Sequence, residues 1–278
     1  MNDRQFTPLW RRYGHTSNHK AVSTGVSPPV FNVHINLVKT SNMTDSNTTA
    51  DSKINHAESL KYWNSVPATT GSMLGEFPSV SRIDLQGSKT FLAKIRRLIP
   101  GVQSEGKFHQ GVDCGAGVGR VTEGFLSHVC DVVDAVEPVA KFTQVMKDSQ
   151  LKRDGIVGTI YTRGLENWTP EKKYDLIWVQ WCVGHLTDSQ LIDYTVRCRK
   201  ALTETGLMVL KENLSTHFSG QDMYDSEDSS VTRTDAKFRQ VFEAAGMEIV
   251  KSELQKGFPP SFNLLPVQFY ALRPKTTN

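Results

Sequence analysis

The residues best equipped for chemistry sit in one string, Asp113-Cys114-Gly115-Ala116-Gly117-Val118-Gly119-Arg120. It follows a short β-type stretch, Gln110–Cys114, and opens a helical pattern, so it reads as a strand-to-helix turn. Alternate glycines permit a tight turn and let a ligand lie against bare backbone. Glu137 comes 22 residues after Gly115, at the end of the next β-type stretch. A carboxylate there accepts hydrogen bonds from both hydroxyls of a ribose. Loop and acid together point to a nucleoside cofactor. A dinucleotide fingerprint takes Gly or Ala at its sixth place, where the helix packs on the strand and pyrophosphate meets its N-terminus. This chain has Arg120 there. A guanidinium pairs with a carboxylate, and Asp113 can take an ammonium, directly or through water. An acid before the glycines and a base after them suit the amino-acid tail of S-adenosylmethionine better than the pyrophosphate of NAD.

Further along the same rim, Gly164-Leu165-Glu166-Asn167-Trp168 offers a lid for an adenine, with Leu165 over the ring face and Glu166 at its edge. An ordinary strand-to-helix loop fits the spacing equally well. In a parallel α/β sheet, ligands bind beyond the carboxyl ends of the strands. Gln180, Trp181 and His185 follow the Tyr174–Val179 stretch, and Asn213 ends the next one. The acidic run from Asp222 to Asp228, then Ser229 and Ser230, precedes a further helix. Each has a plain alternative: Trp181 as core, His185 as a satisfied loop residue, Asp228 as the cap of a helix from 229. Their convergence on one rim favours a substrate site.

The elements that must position these residues show in the hydrophobic pattern. Ile83, Phe91, Leu92, Ile95 and Leu98 recur at helical spacing until Pro100-Gly101. Beyond them, β-type stretches at Gln110–Cys114, Val132–Val136, Thr159–Thr162, Tyr174–Val179 and Gly206–Lys211 alternate with helical patterns near 119–128, 138–148, 188–202 and 234–245. Such alternation predicts a mostly parallel sheet with helices on both faces, a Rossmann-like α/β fold. Met247–Leu254 and Val267–Leu272 flank a Gly/Pro-containing loop and predict a terminal antiparallel pair, giving seven strands.

Composition sets the outer bounds. The 278 residues suit one domain with tails, and 38% apolar content is ordinary for a globular chain. No apolar run is long enough to span a membrane. The net charge of +3, without a basic block, gives no ground for a nucleic-acid partner. Cys114, Cys130, Cys182 and Cys198 lack metal-ligand spacing and read as small hydrophobes in a reducing compartment. Residues 1–57 are rich in Ser, Thr, Asn and His without sustained periodicity, predicting a disordered extension before a domain at 58–275. Up to Met43 the only acid is Asp3. That bias suits an organellar transit peptide, although a plain extension, or a true start at Met43, fits better with a cytoplasmic or nuclear protein.

Taken as strings, the residues resemble those of the protein α-N-terminal methyltransferases. The resemblance rests on Tyr174-Asp-Leu-Ile-Trp-Val-Gln-Trp181, Gly184-His185-Leu-Thr-Asp188, Asp113-Cys-Gly-Ala-Gly-Val-Gly-Arg120, Tyr62-Trp63 and Asp228-Ser-Ser-Val231, and runs from about Leu60 to Arg273. That family is a class I S-adenosylmethionine-dependent one, which methylates the free α-amine of proteins beginning X-Pro-Lys or X-Pro-Arg after Met removal, ribosomal and chromatin proteins among them. The resemblance implies that Gly115, Arg120, Glu137, Leu165 and Gln180 hold the cofactor. It further implies that Trp181 packs on the substrate proline, Asn213 fixes its backbone, Asp228 and His185 handle the α-amine proton, and Asp225 with Ser230 meets the third residue. Gly117 joins the cofactor set and Trp63 the substrate set. The family has Asp where Glu137 stands, a tolerable change, and Tyr where this chain has Leu265, which puts that contact in doubt. No metal is implied, and nothing demands more than a monomer. The competing functions are a small-molecule methyltransferase, a non-catalytic cofactor-binding adaptor, and an NAD-linked oxidoreductase, which Arg120 disfavours.

Overall fold

Strand β4 (Tyr174–Gln180) is buried on both faces, and the whole fold follows from that. Successive side chains alternate between faces. Leu176 and Trp178 join a core on one side with Phe91, Leu92, Ile95 and Phe125. Ile177 and Val179 join a core on the other side with Leu191, Tyr194, Phe238 and Phe242. An unbroken apolar run is what a strand with helices on both faces requires.

The computed structural model describes residues 49–276 except 101, 103 and 104. In chain order the helices are α1 (His56–Ser65), α2 (Thr70–Met73), α3 (Val80–Leu98), α4 (Ser127–Val129), α5 (Ala140–Lys147), α6 (Gln150–Arg153), α7 (Asp188–Ala201) and α8 (Asp235–Ala244). The strands are β1 (Phe108–Cys114), β2 (Cys130–Val136), β3 (Val157–Tyr161), β4, β5 (Leu202–Asn213), β6 (Met223–Asp225), β7 (Ser230–Thr232), β8 (Met247–Leu254) and β9 (Val267–Pro274). The large sheet has seven strands in the order β3-β2-β1-β4-β5-β9-β8. β1 pairs in parallel with β2 and β4, and β9 runs antiparallel to both β5 and β8. This is the expected Rossmann-like sheet with its terminal antiparallel pair. Strand order reverses between β1 and β4, so the crevice at their carboxyl ends is where a ligand belongs.

The helix after β1 starts at Arg120, widens into a π-helical turn, Thr122–Leu126, and ends as α4. α7 starts on a capping box in which Thr187 and Gln190 satisfy each other's backbone N–H groups. A two-stranded hairpin, β6–β7, stands apart from the sheet.

Folded structure begins before residue 58, which corrects the boundary expected from composition. Asp51 Oδ2 accepts from the Asp188 N–H at 2.9 Å. Asn55 caps α1 by accepting from the Ala57 and Glu58 N–H groups, and its own N–H donates to Ser229 Oγ at 2.8 Å. Polar composition hid this segment because its anchors are hydrogen bonds to distant loops rather than buried apolar side chains. The targeting question for residues 1–42 lies outside the described residues.

Candidate active site

The glycine loop turns directly off β1. Gly115, Gly117 and Gly119 have φ of +73°, +56° and +88°. A Cβ on Gly115 would stand 2.3 Å from Cys182 Cβ, so a side chain there is excluded by space as well as by backbone. Gly115, Gly117, Arg120, Glu137, Leu165, Glu166 and Gln180 all line one cavity at the ends of β1, β2 and β4. Burial raises the Glu137 carboxyl to about 7, even though its oxygens accept from the Val139 and Gly117 N–H groups at 2.8 and 2.9 Å. The lid loop is held from behind: Arg197 of α7 donates to the carbonyls of Leu165, Glu166 and Trp168.

Asp113 departs from its expected place. It is 1% exposed, accepts from Thr122 Oγ1 at 2.6 Å, and is absent from the cavity wall. Its position on β1 points it beneath the loop, where burial raises its carboxyl to about 6. Arg120 does reach the wall, but its Nη1 is committed to Asp84 Oδ2 at 2.8 Å. Gln180 likewise gives its Nε2 to Asp84 and takes the Trp178 indole N–H on its Oε1. Asp84, at the heart of this arrangement, stands within α3 and belongs to none of the motifs above.

A second cavity adjoins the first, and Trp63, Met73, Trp181 and His185 line both. Its wall also includes Asn213, Asp228 and Ser230. Trp181 has φ +52°, a left-handed backbone that a bulky residue adopts at a cost of about 1–3 kcal/mol. The strained turn swings its indole out of the sheet between the two cavities, so Trp181 is wall rather than core. Asp228 lies in the turn between β6 and β7 and caps no helix, because α8 begins later on Thr234. That turn carries a left-handed Ser229 at φ +56°, the residue pinned by the Asn55 N–H.

Several polar atoms here are buried with no hydrogen-bond partner among the described residues: Trp181 Nε1, Asn213 Oδ1, Asp228 Oδ1 and Asp225 Oδ2. Leaving such atoms unpaired costs roughly 1–3 kcal/mol each. Trp181, Asn213 and Asp228 line the second cavity, where a ligand can complete the bonding. Asp225 is on β6 behind the wall and takes the Glu227 N–H on Oδ1. Burial, with Asp228 close by, raises its carboxyl. Tyr62 on α1 faces the same acids, and burial with the charges of Asp228, Glu227 and Asp225 raises its hydroxyl.

His185 is fixed at both nitrogens. Trp63 Nε1 donates to its Nε2 at 3.0 Å, and Ser59 Oγ lies 2.8 Å from its Nδ1. An indole N–H can only donate, so Nε2 is the acceptor and the ring is neutral with its proton on Nδ1. Burial, which lowers the imidazole's basicity, favours the same form. Arg233 secures the turn behind it, donating to the Val183 and Leu186 carbonyls and to Asp188.

Residues that sequence reasoning missed include Asp84, Met73 and Glu212, whose Oε1 accepts from the Cys182 and Val183 N–H groups. Burial raises the Glu212 carboxyl to about 7. Phe258 and Leu264 from the β8–β9 connection also line the second cavity, whereas Leu265 is 2% exposed and faces the core. The four cysteines are free, and no metal-binding cluster occurs among the described residues.

Sheet order, glycine turn and acid at the second strand end define a class I S-adenosylmethionine-dependent methyltransferase. The comparisons agree. Residues 51–273 match the model of the AdoMet-dependent proline dimethyltransferase family. The chain is 40% identical to alpha N-terminal protein methyltransferase 1 of Schizosaccharomyces pombe, covering 80% of this chain and 97% of that one. It is 37% identical to N-terminal Xaa-Pro-Lys N-methyltransferase 1 of Xenopus tropicalis, covering 73% and 89%. A solved S-adenosylmethionine-dependent methyltransferase of Leishmania major superposes with a TM-score of 0.69 at 33% identity, covering 78% of this chain and 82% of that one. The chain therefore belongs to the AdoMet-dependent proline dimethyltransferase family, and it is an S-adenosylmethionine-dependent methyltransferase.

Proposed function

We propose that this enzyme methylates the free α-amine of proteins that begin X-Pro-Lys or X-Pro-Arg once the initiator Met is removed. The observation that carries the reading is the cluster of unpartnered acceptors, Asn213 Oδ1 and Asp228 Oδ1, in a cavity that shares a wall with the cofactor cavity. An α-amine supplies the N–H donors these atoms lack. The names of the relatives support the protein N-terminus as substrate.

The cofactor cavity fits S-adenosylmethionine. Bare backbone at Gly115 and Gly117, the Glu137 carboxylate for a ribose diol, the Arg120 guanidinium for a carboxylate, and Leu165 with Glu166 beside an adenine make a complete cradle. Gln180 closes its inner wall. Bound there, S-adenosylmethionine supplies an electrophilic methyl on a sulfonium centre.

What remains for the protein is orientation and one proton. An α-amine has a pKa of about 7.8, so freeing its lone pair at about pH 7.4 costs roughly 0.5 kcal/mol, against about 4 for a lysine. Asn213 Oδ1 and Asp228 Oδ1 hold the nitrogen, and Asp228 accepts the proton as the new bond forms. His185, with Nε2 already taken by Trp63, positions this corner. Trp181 offers its indole face to the proline. Asp225, with Ser230 on the same hairpin, provides negative charge for the basic third residue.

The test is a peptide pair in which one begins X-Pro-Lys and the other carries Lys only internally. Methylation of the second as fast as the first rejects α-amine specificity. Inertness of the first, with cofactor bound, points to a small-molecule substrate.

A further inference from the structure

Arg120, Gln180 and Lys211 come from three different elements, yet all converge on one carboxylate. Asp84 of α3 is fully buried and lines neither cavity. Its Oδ2 accepts from Arg120 Nη1 at 2.8 Å, and both its oxygens accept from Gln180 Nε2 at 2.9 Å. Lys211 Nζ bonds its Oδ1, its backbone carbonyl at 3.0 Å and Ser88 Oγ at 3.1 Å. Ser81 Oγ stands 3.4 Å from Arg120 Nη1, so Ser81, Asp84 and Ser88 present one face of α3 to the base of the site.

This geometry constrains each partner in a distinct way. Gln180 has its amide orientation fixed, because Oε1 takes the Trp178 indole N–H while Nε2 faces the acid. Arg120 has one edge tied down, which aims the rest of its fork at the cofactor cavity. Lys211 accepts the Trp181 N–H on its carbonyl at 3.1 Å, and its ammonium lies 5.8 Å from the Trp181 ring. A buried acid that served only to neutralise Lys211 would have no need of Gln180 or Arg120.

We propose that Asp84 is a positioning residue for methyl transfer: it sets Arg120 in the geometry that receives the carboxylate end of the cofactor. It touches no substrate and acts through Arg120. The direct contacts also leave a net positive charge, since one carboxylate faces two cations. A cofactor carboxylate arriving at Arg120 balances it. Asp113, which also feels the charge of Arg120, is committed to Thr122 and sits under the loop.

The proposal rests on Arg120 as a cofactor ligand, and the experiment separates the two ideas. Titration calorimetry with S-adenosylhomocysteine is run on Asp84→Asn, Arg120→Met and the double variant. Each single change is expected to weaken binding at least ~10-fold, the loss of a charge-assisted hydrogen bond. The double variant is expected within about 3-fold of Arg120→Met alone, because residues that act through one another are not additive. If the two losses simply multiply, Asp84 does not act through Arg120 and the proposal fails. Unchanged binding by Arg120→Met overturns the ligand assignment and the proposal with it. Should Asp84→Asn not fold, Asp84→Asn/Lys211→Met is compared with Lys211→Met, since it removes acid and cation together. Cofactor binding at least ~10-fold weaker in the former supports positioning, whereas equal affinity reduces Asp84 to a counter-ion for Lys211.

Discussion

Replacing Asp228 by Asn should separate function from stability, with opposite signs. In the free protein Asp228 Oδ1 is buried without a partner, and Asp228 is among the causes that raise the Asp225 and Glu227 carboxyls. The acid is therefore poorly placed until a cationic substrate arrives. Asn keeps the shape and removes the charge. A hydrogen bond to a charged group contributes about 1.5–3 kcal/mol, so kcat/KM for an X-Pro-Lys peptide should fall by roughly 10- to 150-fold. Loss of proton acceptance adds to the kcat share of that fall. Stability should hold or rise, because a repulsive charge leaves the cluster; at about 2–4 °C per kcal/mol for a domain of this size, Tm should not drop. Steady-state kinetics and a thermal scan on the same preparation decide it. A variant within ~3-fold of wild-type kcat/KM would refute the catalytic assignment. A clear drop in Tm beside lost activity would show Asp228 to be structural.

Other outcomes follow from the same geometry. Asn213→Ala should lower kcat/KM for the peptide by about 5- to 100-fold, one substrate hydrogen bond, while calorimetry shows unchanged S-adenosylhomocysteine affinity; an equal loss in both would mean the site had collapsed. A chain starting at Ala57 should melt at least about 2–4 °C below one starting at Thr49, because it lacks the Asn55 cap, worth ~1 kcal/mol, and in addition the Asn55–Ser229 bond; equal Tm values would refute the boundary. The free protein should lose stability as pH rises from about 5 to about 7.5. Asp113 (about 6), Glu137 (about 7) and Glu212 (about 7) all lie above their unfolded values, so the folded state holds their protons longer and this stability drains away through that window. His185, lowered by burial, opposes the trend below its ordinary value, against these three and the raised carboxyls of Asp225 and Glu227. A Tm that climbs from pH 5 to 7.5 would contradict the raised carboxyls.

Much of the fold was legible because its signals are local. The alternation of β-type and helical stretches gave the sheet, and the Gly/Pro loop after 254 gave the antiparallel return. The glycine turn and Glu137 announced the cofactor side for the same reason, being short motifs at fixed spacing. Asp84 was not legible: its partners stand 36, 96 and 127 residues away, and only the assembled sheet brings them together. Asp113 was only half legible, because spacing gives a residue's place on a strand but not that its carboxylate turns under the loop to Thr122. The β6–β7 hairpin was hidden as well. Its strands are Met223–Asp225 and Ser230–Thr232, too short for a period of two to show. The plain alternative for Asp228, a helix cap, therefore stayed open in the sequence, and the turn between β6 and β7 closes it.

The most direct measurement is mass spectrometry of an X-Pro-Lys peptide incubated with enzyme and S-adenosylmethionine, beside an α-acetylated copy. Methylation of the free peptide alone, in steps of one methylene, is expected and also counts the methyl groups added. Equal methylation of the acetylated copy would contradict an α-amine acceptor, and no methylation of either, with cofactor binding confirmed, would contradict a protein N-terminus as the substrate.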